Sequence, residues 1–144
     1  MGIDTELNFD AVIDTSKMEK ADWEIFDYWF KHTENPSIFP EHEFFNDKID
    51  RRAMWRRVGW WENLTYKFHG LSGHLAFTSY PKNWGEHTAN QFADYMSKFI
   101  DLDGKDEVIV GHWGEECQEY GGYCQDNLIV GKKSDSIKGW LGDN

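Results

Sequence analysis

Only two cysteines and three prolines occur in the 144 residues, and no apolar run approaches the roughly 20 residues that a bilayer-spanning helix needs. Two thiols, Cys117 and Cys124, do not make a disulfide framework, so a reducing cytoplasm is the expected setting. Few prolines and no Ser/Gly/Pro-rich tract argue against low-complexity linkers. Met1 to Glu6 are acidic rather than basic-then-apolar, so no leader is expected, and Glu6 stands where a myristoylation signal after Gly2 would place Ser or Thr. Bases are scarce as well: 15 Lys and Arg face 26 Asp and Glu, a net charge of -11. Such a field disfavours unaided binding to nucleic acid or an anionic membrane, because each phosphate contact must come from Lys or Arg. No Walker loop, dinucleotide fingerprint, G-x-S-x-G elbow, H-E-x-x-H or kinase motif is present, which lowers the expectation of an enzyme and of any cofactor.

Aromatic residues, by contrast, are abundant, with Trp 8, Phe 10 and Tyr 6. Length and apolar content fit a single domain over residues 1–144, its tail after about residue 133 peripheral. Charge is unevenly spread. Residues 1–50 hold 13 acids and 4 bases, residues 51–82 hold 1 acid and 6 bases, and residues 83–144 hold 12 acids and 5 bases.

Leu7, Phe9, Ala11 and Ile13 alternate with polar neighbours and predict a first strand. Ser16 and Glu19 read as a capping box before a helix whose inner stripe is Met18, Asp22, Ile25, Phe26 and Trp29, ended by Asn35-Pro36. A short helix is expected from Glu41 to about Ala53. Val58, Trp60, Leu64, Tyr66 and Phe68 then share one face of a long strand, with Glu62 a misfit on it, and Gly70-Leu71-Ser72-Gly73 turns the chain into a second strand through Leu75, Phe77 and Ser79. Asn83 caps the clearest helix, whose stripe is Ala89, Phe92, Tyr95, Met96, Phe99 and Ile100. Val108 to Trp113 and Leu128 to Val130 are the last strands, joined across Gly121-Gly122. The order predicts an α+β fold: an antiparallel sheet of about five strands with two main helices on one face, a ferredoxin-like βαββαβ core plus one extra strand.

Several residue groups are candidates for function. His69 and His74 bracket the hairpin turn and, in a regular hairpin, would stand within ~5 Å of one another; with His87 they form an acid–base set for a hydrolase or nuclease reading. His112, Cys117 and Cys124 are a possible metal set without a fourth ligand at customary spacing. The Asp101 to Glu107 run fits a solvated turn better than a calcium loop, since Lys105 occupies a ligand position. Arg51, Arg52, Arg56 and Arg57 interleave with Trp55, Trp60 and Trp61, a mixture that suits either phosphate and base contacts or pairing with the chain's own acids. Trp60, Tyr66 and Glu62 would line a small-ligand pocket.

The leading expectation is a non-enzymatic binding protein. Asp22, Glu24, Asp27 and Glu34 on the first helix, and Glu41, Glu43, Asp47 and Asp50 on the second, offer a carboxylate density that can imitate nucleic-acid phosphates. Trp23, Trp61 and Trp84 would anchor a basic, nucleic-acid-handling protein partner. Small acidic phage and mobile-element proteins block restriction or CRISPR enzymes in this manner, and toxin immunity proteins share this size and charge; the likeness is one of class.

Overall fold

In the computed structural model, which describes residues 5–31, 33–34, 36–45, 58, 61–69, 72–81, 85–117, 122–131 and 137–138 (backbone alone at 61–63, 66, 68, 69, 116, 117, 122–125, 137 and 138), the first alternating segment forms β1, Thr5–Asp14. Its odd-numbered residues Leu7, Phe9 and Ile13 are buried, while Asp10 and Val12 are exposed, as period-two geometry requires of a strand covered on one side.

A 3-10 turn over Thr15–Lys17 leads into α1, Lys20–Lys31. The helix starts later than the Ser16 capping box predicts. Ser16 instead donates through its N–H and hydroxyl to Asp14 Oδ1, at 3.0 and 2.6 Å, and these bonds hold the Asp14 carboxyl below its ordinary pKa. The cap is supplied one turn on: Asp22 Oδ2, in the third position, accepts from the Glu19 N–H at 2.8 Å, half of a capping box. Ile25, Phe26, Trp29 and Phe30 of α1 are buried against the sheet.

Where a second helix was expected from Glu41, the described residues form one 3-10 turn, Glu43–Phe45; residues 46–50 and 51–53 of that prediction lie outside the described set. Phe44 and Phe45 are both buried, packing on Trp29 at 6.1 Å. Adjacent inward-facing residues are awkward on one helix stripe and natural in a tight turn.

The hairpin is β2, Trp61–His69, and β3, Ser72–Ser79. Helix α2, Glu86–Ser97, follows from Gly85 as N-cap, an extended residue without a side-chain cap; Asn83, expected in that role, lies outside the described residues. Ala89, Phe92, Tyr95 and Met96 of α2 and Phe99 beyond it are buried, matching the predicted stripe. Strands β4, Glu107–Cys117, and β5, Gly122–Gly131, complete the long elements, and the tail adds a two-residue β6, Ile137–Lys138, at the sheet's outer edge.

The sheet order is β2-β3-β1-β4-β5-β6, and every neighbouring pair is antiparallel. The first four strands have the predicted ferredoxin-like arrangement, and β5 and β6 extend it past β4. Both helices cover the same face. Phe9 of β1 meets Phe92 at 6.1 Å, Phe30 meets Phe77 of β3 at 5.2 Å, and Phe26 meets Phe99 at 5.7 Å, so the core is a lattice of edge-on and tilted rings. No helix among the described residues is long and apolar enough to cross a membrane.

Two irregularities shape the sheet. Between Glu62 and Thr65 the β2–β3 register shifts by one extra residue on β2, from Trp61↔Ser79 and Glu62↔Thr78 to Thr65↔Ala76. This extra residue accounts for Glu62 as the misfit in a regular alternation. Between Ile109 and Gly111 the β4–β5 register shifts too. Gly111 has φ +154, and a Cβ there would stand 1.7 Å from the Asn8 carbonyl oxygen, so only glycine permits this approach of β4 to β1.

Candidate functional site

The carboxylates expected to form one acidic patch have different fates. Asp22 is 1% exposed and belongs to the interior: its Oδ1 accepts from the Tyr95 hydroxyl at 2.7 Å and its Oδ2 from Lys98 Nζ at 3.0 Å, besides the Glu19 N–H. Glu24 Oε1 accepts from the N–H and hydroxyl of Ser37, both at 3.1 Å, and ties α1 to the following loop. Asp27 pairs with Lys31 at 3.5 Å. Glu34, Glu41 and Glu43 are exposed, whereas Asp47 and Asp50 lie outside the described residues.

The Asp22 cluster has a pH signature. Burial, then the hydrogen bond and charge of Asp22, push the Tyr95 phenol far above its ordinary value of 10.0. Lys98 is also raised from 10.5, partial burial being outweighed by its contacts with Asp22 and Glu19. Each group holds its proton more tightly folded than unfolded. Their contribution to stability is therefore complete below the unfolded values near pH 10 and declines as pH rises beyond them. Thermal unfolding midpoints are expected to fall between about pH 9 and 11, and Tyr95→Phe to lose less over that interval than the wild-type chain; equal losses would contradict the assignment.

Sequence reasoning passed over His42. Its Nδ1 accepts from the Phe44 N–H at 3.0 Å, which in the neutral ring leaves the proton on Nε2 to donate to Asp94 Oδ2 at 2.7 Å. The ring thus pins the 3-10 turn to α2, beside Tyr95 at 5.5 Å.

The hairpin histidines are not cross-strand partners. Strand β3 begins at Ser72, so His69 pairs with Ser72 and His74 with Lys67. The facing acid–base pair expected from a four-residue turn is therefore replaced by a different contact, His74 Nε2 with Asp10 Oδ1 at 2.6 Å on β1. His87 is exposed on the first turn of α2. His112 is exposed and pairs in register with Asn8 and Asn127, while Cys117 pairs with Gly122 and Cys124 with Glu115, so the two cysteines are not opposite one another. Among the described residues no three His, Cys, Asp or Glu gather as a metal site. Asp101 Oδ1 accepts from the Asp103 N–H at 2.9 Å in a turn that passes through Asp103 and Gly104 at positive φ. Trp23 is half-buried; the side chains of Trp61, Glu62 and Tyr66, and residues Arg51, Arg52, Trp55, Arg56, Arg57, Trp60 and Trp84, lie outside what is described.

The feature that stands out lies where β1 and β4 cease to pair. Pairing of β1 with β4 runs from Thr5↔Glu115 to Phe9↔Gly111 and stops there among the described residues, while pairing of β1 with β3 continues to Asp14↔Ser72. Beyond the Gly111 bulge the two strands part. Between them opens a groove of about 560 Å³, lined by Asp10, Val12, Asp14, Asp101, Ile100 and Ile109 among others. Val12 and Ile109 are 61% and 60% exposed, more than any other large hydrophobic side chain among the described residues. Three carboxylates share the lining with them. A polar row runs alongside, Thr78 donating to Asn8 at 2.6 Å and Asn8 to Glu6 at 3.1 Å.

In comparisons with known proteins the chain matches no family, no curated protein and no solved structure.

Proposed function

We propose that this protein is a non-enzymatic binding protein that engages a basic protein surface of the kind that nucleic-acid-handling enzymes present. The observation that supports this reading is the groove between β1 and β4, whose lining joins exposed Val12 and Ile109 with Asp10, Asp14 and Asp101. Aliphatic side chains left in water beside carboxylates suit an interface whose apolar centre contributes affinity and whose charged rim steers the encounter. The net charge of -11 adds a long-range attraction for a basic partner and repels nucleic acid itself. Burial of Asp22 and the internal bonds of Glu24 move the emphasis from the helix carboxylates to the groove.

The test is capture from lysate on the immobilised protein, followed by binding measurements on the purified partner. A basic nucleic-acid-handling protein should be retained, with affinity falling at least tenfold between about 50 and 300 mM salt as surface charges are screened. Association indifferent to salt, or no retained protein at either salt, would overturn the reading.

A further inference from the structure

We infer that the groove between β1 and β4 seats an extended segment of the partner in which cationic and aliphatic residues alternate at every second position, laid along the β1 edge at Asp10 and Val12. This rests on the binding reading above and specifies how the partner is held.

The backbone argument comes first. The Asn8 carbonyl faces Gly111 closely enough to exclude a Cβ, and the Asp14 N–H donates to the Phe99 carbonyl at 2.8 Å; both point away from β3. Backbone groups of alternate residues in a strand face the same edge, so those of Asp10 and Val12 point the same way, into the groove. There β4 has departed and among the described residues no strand replaces it; the Phe99 carbonyl holds the Asp14 N–H at the far end, so the stretch left to an added chain is that of Asp10 and Val12. An extended chain entering the groove finds hydrogen-bonding groups spaced for strand addition.

The side chains give the pattern. Along β1 every second residue reads carboxylate, aliphatic, carboxylate at Asp10, Val12 and Asp14, and Ile109 and Asp101 line the same groove. Each carboxylate is held in place by a local donor: His74 for Asp10, Ser16 for Asp14 and the Asp103 N–H for Asp101. A strand that alternates Lys or Arg with Val or Leu on its facing side matches this order. A second copy of this chain matches it poorly, since both copies carry a charge of -11.

The probe is a blocked nine-residue peptide in which the odd positions are lysine and valine by turns and the even positions are threonine, so that lysine and valine alternate on one face of the extended chain; it is titrated into the isotope-labelled full chain, with the same peptide carrying glutamate in place of lysine as control. The expected result is amide shifts confined to Asp10–Asp14, Ser72, Asp101 and Val108–Val110, with exchange of the Val12 amide slowed at least tenfold by the lysine peptide alone. Val12→Arg and Ile109→Arg, at exposed positions that should keep the wild-type melting temperature, are expected to weaken binding at least tenfold each. If the peptide moves Glu34, Glu41 and Glu43 while Val12 stays unchanged, or both arginine variants bind as the wild type does, the groove inference fails and the basic-partner reading stands. Protection of the Val12 amide in the protein alone, lost on dilution, would assign the groove to a second copy and also overturn it. Failure of any basic protein or peptide to bind would remove both.

Discussion

Alanine at Gly111 is expected to destabilise the fold by about 4 kcal/mol, the largest loss for any single methyl group added to a described glycine. Two costs combine. At φ +154 a residue with a Cβ is strained by roughly 1–3 kcal/mol, and the new methyl would sit 1.7 Å from the Asn8 carbonyl oxygen and 3.1 Å from the Phe9 Cα. Both obstacles are backbone, so no side-chain rotation relieves them, and moving β4 away disturbs its pairing with β1; overpacking of this kind adds about 1–3 kcal/mol. Domains of this size are stable by roughly 5–15 kcal/mol. The variant should therefore unfold at a much lower urea concentration, and a midpoint within 0.5 M (an order-of-magnitude margin, about 1 kcal/mol) of wild type would contradict the bulge geometry.

Removal of the Asp22 carboxylate is expected to have the next largest effect, about 3 kcal/mol for Asp22→Ala. The change orphans the Tyr95 hydroxyl in a buried site, at about 1–3 kcal/mol, and uncaps the Glu19 N–H at the start of α1, worth roughly 0.5–2 kcal/mol. Lys98 loses a partner as well, but it is 42% exposed and can return to water, so its share is small. Asp22→Asn keeps an acceptor for Tyr95 and should cost roughly half as much. The decisive measurement is the double variant with Tyr95→Phe. Once the orphaned hydroxyl is gone, the combined loss should fall short of the sum of the single losses by about 1 kcal/mol or more; strict additivity would mean that the two side chains do not act together.

Much of the architecture was legible in local pattern. Alternation in Leu7 to Ile13 gave β1 and its inward face, and the stripe from Ala89 to Ile100 gave α2, because each repeats a period that only one backbone geometry satisfies. The sheet order followed from element order, since short connections and antiparallel pairing leave few ways to cover one face with two helices. Register was less legible. Four turn-forming residues in a row suggested a loop from Gly70 to Gly73, yet Ser72 and Gly73 enter β3, and a shift of two residues gives each histidine a different partner. The bulges that place Glu62 and open the groove leave no clearer trace than a glycine inside a strand pattern.

The candidate site was least legible of all. Asp22 sat on the inner stripe in sequence, a signal that it was interior rather than superficial, but its partners Tyr95 and Lys98 are 73 and 76 residues away. His42 offered no pattern, because its role is one bond to a local N–H and another to a distant helix. The groove depends on where two strands stop pairing, which is a property of the assembled sheet and of no segment within it.

The position of β1 at the centre of the sheet also sets a condition on synthesis. Its register partners on one side, Gly111 to Glu115, lie roughly 100 residues further along the chain, and contacts of such sequence separation slow folding because the loop between them must close first. During translation β1 can pair with β3 long before β4 leaves the ribosome. Until then its other edge is open along its whole length, a period in which the nascent chain is exposed to wrong strand pairing and depends on chaperones or on speed of completion.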